Sequence, residues 1–248
     1  MIELTCSRFV IGAQRSGTTA LRHFISEHPE LTVSRGKEVH FFDRWPRRIP
    51  TAVGRRLALR SKFGLGLQTK LVDVTPAYVY RPAAIESLAK TVPHARCVMS
   101  LRSPVGRAVS QWRLEFNRGT ETLPFAEAIA RPSGEGHWRN HSYIERGFYD
   151  RQLERFDRLF AADQLALVRA DALRESPDEA LAPVWDVFGV AHVSTKPRTV
   201  HQSEMGFEPS PEIVEELIDV FRPSINYVAE RTGWDLAPWT DPTVAARL

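Results

Sequence analysis

Eight residues near the start of the chain combine glycines, hydroxyls and one cation in an order that suits an anion. They form the run Gly12-Ala13-Gln14-Arg15-Ser16-Gly17-Thr18-Thr19, between a strand-like and a helical segment. In that position backbone N–H groups and a helix N-terminus can point at an anionic group. The spacing of Gly12 and Gly17 is that of the nucleotide-binding P-loop, but Thr18 replaces the lysine that contacts the β- and γ-phosphates. The run therefore predicts an anion-binding loop and disfavours nucleoside triphosphate hydrolysis; a tight turn without a ligand is the alternative.

A carboxylate suited to proton transfer follows in the segment Lys37-Glu38-Val39-His40-Phe41-Phe42-Asp43. A carboxylate near a cationic site stays ionised, so Glu38 could accept a proton at neutral pH. The phenylalanine pair is expected to anchor the segment. The alternative is an exposed Glu38 that only pairs with Lys37 or Arg35.

These residues need a scaffold, and strand-like runs alternate with helical runs along the chain. Strands are predicted at 8–13, 70–74, 95–101 and 165–168, and helices at 18–27, 82–91, 104–116, 148–160, 176–188 and 211–231. Residues 192–211 contain three prolines and no periodicity, which predicts a long loop. The alternation indicates an α/β fold over residues 1–248, a single domain whose central parallel sheet is flanked by helices. A ligand would bind at the carboxyl ends of its strands.

Composition excludes several other classes of protein. The net charge of +3, from 33 Lys and Arg against 30 Asp and Glu, is too small for a polybasic nucleic-acid binder. Two cysteines cannot form a disulfide framework or a zinc site of Cys-pair spacing, and Cys97 is expected to be a core thiol. No apolar stretch reaches the ~18 residues of a membrane span, and residues 1–8 lack a signal core. We therefore expect a cytoplasmic protein without metal, nucleic-acid partner or stable membrane insertion; its oligomeric state stays open.

Several segments, in the same order, resemble sulfotransferases that use 3′-phosphoadenosine 5′-phosphosulfate (PAPS). The similarity is to the heparan sulfate sulfotransferase type, especially the 3-O-sulfotransferases and their bacterial relatives. Residues 9–31 resemble the family's 5′-phosphosulfate loop, and the segment around Glu38 resembles its catalytic segment. The further matches are Thr75-Pro76-Ala77-Tyr78, residues 101–110, Gly147-Phe148-Tyr149 with Leu153, and residues 211–239. The resemblance implies the P-loop-like sulfotransferase fold, PAPS as co-substrate, 3′-phosphoadenosine 5′-phosphate (PAP) as product and a hydroxyl as acceptor.

The resemblance also implies which residues hold the donor. Arg15 takes the place of the family's lysine; as a cation that cannot deprotonate, it is predicted to contact the bridging oxygen and the sulfuryl group. The alternative is a surface arginine in a turn. Arg102 and Ser110 correspond to the 3′-phosphate ligands; otherwise they are a solvated strand-end charge and a helix hydroxyl bonded to backbone. The full predicted donor-binding set is Gln14, Arg15, Ser16, Gly17, Thr18, Thr19, Arg102, Ser110, Lys196 and Arg198.

The catalytic set implied by the resemblance is Glu38, Arg15 and His40. Sulfuryl transfer, by analogy with phosphoryl transfer, is expected to be loose and in line, with Glu38 removing the acceptor proton. His40 also matches a family position near the acceptor. It could orient Glu38, bond the acceptor, or be a structural histidine. Asp43 is expected to lie one step further from the acceptor.

Two departures from the family pattern bear on the acceptor. Val74 stands where heparan-type enzymes usually carry a lysine before Thr-Pro-Ser-Tyr, and no cysteine-bridged hairpin precedes Lys196-Pro197-Arg198-Thr199. Heparan-like acceptors are therefore in doubt, and carbohydrate, lipid and secondary-metabolite hydroxyls stay open. Residues 44–66 and 131–143 are expected to frame the acceptor cleft. A P-loop small-molecule kinase, which needs Mg²⁺-dependent ATP turnover, and a non-catalytic PAP- or glycan-binding module are the alternative functions.

Overall fold

Five short strands form a parallel sheet in the structure, a computed structural model that describes residues 6–34, 36, 38–44, 54, 58–59, 61–63, 70–131, 141–195 and 207–248. The strands are β1 (Arg8–Gly12), β2 (Thr32–Val33), β3 (Leu71–Val74), β4 (Arg96–Leu101) and β5 (Leu165–Arg169). Their order is β2-β3-β1-β4-β5, and every neighbouring pair is parallel. All strands but β2 lie within one residue of the predicted bounds.

The strands are apolar runs because both faces of the sheet are covered. All five residues of β1 are buried. Val10 and its neighbours on one face pack in a hydrophobic cluster with Leu21 and Trp185, from the helices that follow β1 and β5. Phe9 points to the opposite face, where its ring meets Phe42 at a centroid distance of 5.9 Å. The α/β class with a parallel sheet flanked by helices is therefore confirmed.

The strand order reverses at β1. The chain leaves β1 for β2 and β3 on one side, then crosses to β4 and β5 on the other. In open sheets of this kind, ligands bind outside the carboxyl ends of the strands at such a reversal. The loop at 13–17 follows β1 at that place.

The described helices begin and end at recognisable sequence signals. They are α1 (Thr18–Glu27), α2 (Phe41–Arg44), α3 (Pro82–Thr91), α4 (Pro104–Asn117), α5 (Phe125–Ala130), α6 (Tyr149–Asp157), α7 (Ala172–Glu175), α8 (Pro177–Phe188) and α9 (Pro211–Thr232). Four of them begin with proline, whose fixed φ and missing N–H suit a first helical position. Gly189 and Gly233 end α8 and α9 in the left-handed conformation that favours glycine.

The chain divides into two compact units, Met1–Leu101 with Leu153–Thr199, and Arg102–Gln152 with Val200–Leu248. The first unit contains the sheet. In the second unit, the ring of Trp112 packs edge-to-face against Phe125 and at a tilt against Phe207, at centroid distances of 5.7 and 4.5 Å. Gly147 of this unit admits no side chain, because an added Cβ would lie 2.4 Å from Cε1 of Phe221.

The differences from the predicted elements are local. Helix α6 spans Tyr149–Asp157 rather than 148–160; beyond it the N–H of Leu159 donates to the carbonyl of Phe156, three residues back instead of the four of an α-helix. The elements β2, α2, α5 and α7 are too short to show a period. Residues 192–195 and 207–210 of the predicted loop have no helix or strand, and 196–206 lie outside the described residues. Among the described helices, none has the length and hydropathy required to cross a bilayer.

Candidate functional site

The loop after β1 is tied to the end of β4. The N–H of Ala13 donates to the carbonyl of Ser100 at 2.8 Å, and the hydroxyl of Ser100 donates to the carbonyl of Ser16 at 2.6 Å. Gly17 precedes α1 with φ +73°, and an added Cβ would also lie 3.3 Å from Cβ of Ala170. Arg15, half-buried, shares the left-handed conformation with φ +70°. The predicted loop therefore has a defined shape, fixed by β4.

This loop has the donors that an anion needs. The hydroxyl oxygen of Ser16 is buried and has no hydrogen-bond partner among the residues that the structure describes. Of the side chains that the structure describes, none caps the N-terminus of α1, and first-turn N–H groups have no carbonyl partner inside a helix. Thr18 is buried at the first helical position, whereas Thr19 is exposed. Together these groups fit an anionic ligand such as a phosphate or sulfate.

A chain of charged side chains extends from Glu38 into the protein. Nε2 of His40 lies 3.0 Å from Oε2 of Glu38, and Nδ1 of His40 lies 2.9 Å from Oδ2 of Asp43. Arg81 donates to the same Asp43 oxygen. Exposure falls from 23% for the Glu38 side chain to 19% for His40 and 0% for Asp43. His40 therefore bridges a solvent-accessible carboxylate and a buried one.

The electrostatics of this chain make His40 a cation. Hydrogen bonds to Asp43 and Glu38 raise the pKa of His40 to about 9, against the opposing effect of its partial burial. Burial acts to raise the pKa of Asp43, but the hydrogen bond with His40 and the charges of His40 and Arg81 hold it below its usual range. At neutral pH both ring nitrogens of His40 are thus donors. Of the roles left open for His40, the structure shows contact with Glu38.

The backbone of this segment is held by the turn after β3. Oγ1 of Thr75 accepts the N–H groups of Val39 and His40 at 3.1 and 3.4 Å. The hydroxyl of Tyr78 accepts the N–H of Phe41 at 2.9 Å. Both hydroxyls donate to the buried carboxylate of Asp73, Thr75 at 2.6 Å and Tyr78 at 2.8 Å.

Sequence reasoning missed Asp73 and Arg81 as parts of this arrangement. Asp73 could have been noticed as a carboxylate within the otherwise apolar strand Leu71–Val74. A charge in a fully buried strand needs partners, and Thr75 and Tyr78 supply them. Nothing in the sequence around Arg81 indicates its pairing with Asp43.

Arg102 and Ser110 lie in the second unit, at the start of α4. The guanidinium of Arg102 donates through Nε to the backbone oxygen of Leu248 and through Nη2 to that of Arg247, the latter at 3.3 Å. Its own carbonyl accepts the hydroxyl of Tyr149 at 3.0 Å. Ser110 is half-buried in the second turn of α4.

The remaining predicted site residues are only partly within the structure. Gln14 is half-buried in the loop after β1. Lys196 and Arg198 lie outside the described residues, as does most of the region predicted to frame an acceptor cleft.

The chain is similar in sequence to known proteins of one family. A family model described as the sulfotransferase domain matches residues 7–205. The heparan sulfate glucosamine 3-O-sulfotransferase 6 of Homo sapiens is 28% identical over 202 residues, which cover 80% of this chain and 56% of that protein. The 3-O-sulfotransferase 3B1 of Homo sapiens is 29% identical over 208 residues, which cover 80% of this chain and 50% of that protein. The chain thus spans about half the length of these relatives.

Solved structures of sulfotransferases are also similar to this chain. A sulfotransferase from Alicyclobacillus acidocaldarius matches with a TM-score of 0.78 and 25% identity, over 95% of this chain and 99% of that one. The sulfotransferase STF9 from Mycobacterium avium matches with a TM-score of 0.53 and 15% identity, over 92% of this chain and 77% of that one, a similarity of fold alone. Since the family model takes in most of the chain, from residue 7 to residue 205, the protein belongs to the sulfotransferase family.

Proposed function

We propose that the protein is a PAPS-dependent O-sulfotransferase that uses Glu38 as its general base. Two observations carry the proposal: the loop after β1 has N–H and hydroxyl donors that suit an anion, and the carboxylate of Glu38 is held by His40. The N–H of Thr75 donates to the carbonyl of Val10, and that of Val79 to the carbonyl of Ile11, both at 3.0 Å. The turn that supports the Glu38 segment is thereby bonded to the strand that leads into the loop.

The residues of the loop fit the 5′ end of the donor. Ser16 supplies a hydroxyl that has no partner in the described part of the chain, and the first turn of α1 supplies N–H groups for anionic oxygens. Arg15 would neutralise charge that develops on the leaving phosphate oxygen. At the other end, Arg102 and Ser110 would bind the 3′-phosphate. The remaining donor-binding residues of the proposal are Gln14, Gly17, Thr18, Thr19, Lys196 and Arg198.

The reaction moves one sulfuryl group and one proton. The acceptor oxygen forms a bond to sulfur while the bond from sulfur to the phosphate oxygen of PAPS breaks, and PAP leaves. The acceptor proton passes to the carboxylate of Glu38. His40, as an imidazolium bonded to Glu38 and Asp43, holds this carboxylate in one orientation. His40 has no lone pair to accept the proton itself while it is charged.

The substitution Glu38→Gln tests the general base. It removes the proton acceptor but keeps the size of the side chain, so we expect transfer from labelled PAPS to fall about a thousandfold. The dissociation constant for PAP without Mg²⁺ should stay within about twofold, since the loop is intact. The matched control is Glu27→Gln, at an exposed carboxylate of α1. Full transfer activity of Glu38→Gln would contradict the assignment.

The same measurements separate the alternative functions. A non-catalytic module would bind PAP and transfer nothing to any hydroxyl in a diverse acceptor library. A kinase would hydrolyse or transfer from ATP with Mg²⁺ and would not require PAPS. We propose a carbohydrate, lipid or secondary-metabolite hydroxyl as acceptor, because Val74 removes the cation that a heparan-type acceptor would meet.

Two further proposals concern the whole chain. We propose that residues 1–248 act as one sulfotransferase domain, because the Alicyclobacillus acidocaldarius structure matches over 95% of the chain. We also propose a cytoplasmic location, which suits the free thiols of Cys6 and Cys97.

A further inference from the structure

Asp73 is a buried charge that the proposed reaction does not use directly. Its side chain is 0% exposed in the middle of β3, between apolar neighbours. Both carboxylate oxygens are occupied, Oδ1 by the hydroxyl of Thr75 at 2.6 Å and Oδ2 by the hydroxyl of Tyr78 at 2.8 Å. Thr75 and Tyr78 are themselves 0% exposed. No substrate can therefore contact Asp73, and any role in catalysis must act through its two partners.

The charge of Asp73 decides which way these two hydroxyls point. An ionised carboxylate can only accept hydrogen bonds, so both hydroxyl protons must turn toward it. The lone pairs of Thr75 and Tyr78 are then directed away from Asp73. They face the N–H groups of Val39, His40 and Phe41, which they accept. A neutral amide in place of the carboxylate would offer one acceptor and one donor, and could not orient both hydroxyls in this way.

The segment held by these hydrogen bonds needs the support. His40 has φ +52°, a left-handed conformation that is uncommon for residues other than glycine. Three consecutive N–H groups, at Val39, His40 and Phe41, are fixed around it. Glu38 precedes these groups directly and contacts the His40 ring at 3.0 Å. The direction of two buried hydroxyls therefore determines where the proton acceptor lies.

We propose that Asp73 is a positioning residue, whose negative charge orients Thr75 and Tyr78 and so fixes Glu38 and His40 for proton transfer. This inference rests on the proposed sulfuryl transfer with Glu38 as base.

Burial of the ionised carboxylate of Asp73 destabilises the fold, so a structural role alone does not explain it. Burial raises the pKa of Asp73 to about 6, although the hydrogen bonds from Thr75 and Tyr78 act to lower it. Among the described residues, the other titratable groups that interact electrostatically with Asp73 are His40, Asp43 and the thiol of Cys6. A neutral residue of the same size would avoid the desolvation of a charge. A buried carboxylate that only filled space would thus gain nothing from being ionised.

The test compares Asp73→Asn with Val72→Ala, a substitution at a fully buried apolar residue of the same strand. We expect Asp73→Asn to lower kcat at least about tenfold, with PAP affinity and the KM for PAPS within about twofold of wild type. Val72→Ala should destabilise the fold but leave kcat of the folded protein unchanged. The conservative variant Thr75→Ser should recover most of the kcat that Thr75→Val loses, because it retains the hydroxyl.

A second readout does not depend on turnover. Hydrogen exchange at the N–H groups of Val39 and Phe41 should be about tenfold faster in Asp73→Asn than in Val72→Ala, relative to the slow core amides. If Asp73→Asn does not fold, Thr75→Val and Tyr78→Phe are measured in its place, with the same expectation for the amide that each hydroxyl accepts.

The outcomes separate the two proposals. Wild-type kcat in Asp73→Asn, with an active wild type, would overturn the positioning role and leave sulfuryl transfer intact. If wild type transfers to no acceptor, the proposed function fails. The exchange measurement then decides on its own whether Asp73 fixes the segment, and unchanged exchange at Val39 and Phe41 would overturn that role.

Discussion

Glu38 and Arg102 both carry charges that the proposed reaction needs, but they are held by different kinds of partner. Glu38 belongs to a segment fixed by side chains, through the imidazolium of His40 and the hydroxyls of Thr75 and Tyr78. The guanidinium of Arg102 is held by backbone oxygens of Arg247 and Leu248. Side chains of fixed orientation build a geometry into the fold, whereas backbone oxygens accept hydrogen bonds from the guanidinium that we propose as a phosphate ligand.

This difference in hydrogen-bond partners predicts how the Glu38 segment and the surroundings of Arg102 would respond to a bound donor. The hydrogen bonds that orient the Glu38 segment are already formed without a ligand. Little further ordering of this segment is therefore needed when the reaction begins. If Arg102 binds the 3′-phosphate as proposed, the phosphate would compete with its present hydrogen bonds to backbone oxygens. The gain in binding is then the difference between two sets of hydrogen bonds. Variants in the first region should therefore change kcat, and those in the second region should change affinity.

The largest expected effect concerns stability and pH. Because burial raises the pKa of Asp73 to about 6, the folded protein holds its proton more tightly than the unfolded chain, whose value is near 3.8. The contribution of Asp73 to the stability of wild type therefore falls as pH rises from about 4 to 6, by about 3 kcal/mol. Asp73→Asn lacks this loss.

Urea unfolding of both proteins at intervals from pH 4 to pH 7 measures the effect. The stability of Asp73→Asn relative to wild type should rise by about 3 kcal/mol over this range. The contribution of Asp43, whose pKa lies below its usual range, has the opposite sign and is present in both proteins, so it cancels in the comparison. A difference that does not vary with pH would show that the pKa of Asp73 is the same in the folded and the unfolded protein, and would contradict the effect of burial.

The second effect concerns the imidazolium. His40→Asn tolerates the left-handed backbone but cannot carry a charge, so Glu38 loses a charge-assisted hydrogen bond. We expect kcat to fall about 100-fold with PAP affinity unchanged. In wild type, kcat should also decline as pH rises through about 9, where His40 loses its proton.

The control for this variant is His23→Asn, at an exposed histidine of α1. His40→Asn should lack the alkaline decline, because no imidazolium is left to titrate. An alkaline decline of the same midpoint in His40→Asn would assign that titration to another group.

Much of the scaffold could be predicted because its signals are local. The bounds of Thr18–Glu27 and Pro82–Thr91 agree with the prediction, since Pro29 stops the first helix and Pro82 begins the second. The strands were visible as apolar runs. The two-residue strand Thr32–Val33 carries no period, and only its pairing with β3 defines it.

The candidate site was predictable in part for the same reason. The loop and the Glu38 segment are short motifs, so their residues could be named from the sequence. Their partners come from tertiary structure: Arg81 reaches Asp43 from 38 positions away, and Leu248 reaches Arg102 from 146 positions away. No local pattern specifies such pairs. The orientation that Asp73 imposes on Thr75 and Tyr78 likewise depends on its burial.

The smallest of the expected effects concerns Arg102. Arg102→Gln removes the charge but keeps a polar side chain, and we expect the dissociation constant for PAP to rise about tenfold. A larger loss is not expected, because a phosphate on wild-type Arg102 would compete with its hydrogen bonds to backbone oxygens. Calorimetric titration with PAP measures the change, and Arg118→Gln, at an exposed arginine just beyond α4, is the matched control.

At saturating PAPS, kcat of Arg102→Gln should stay within about twofold of wild type, the reverse of the pattern expected for His40→Asn. The two variants therefore test the comparison as a pair. If Arg102→Gln lowered kcat and left PAP affinity unchanged, Arg102 would act on the reacting groups and not on the 3′-phosphate. If both variants changed affinity and kcat together, the two regions would work as one unit, and the distinction between a fixed region and an exchanging one would fail.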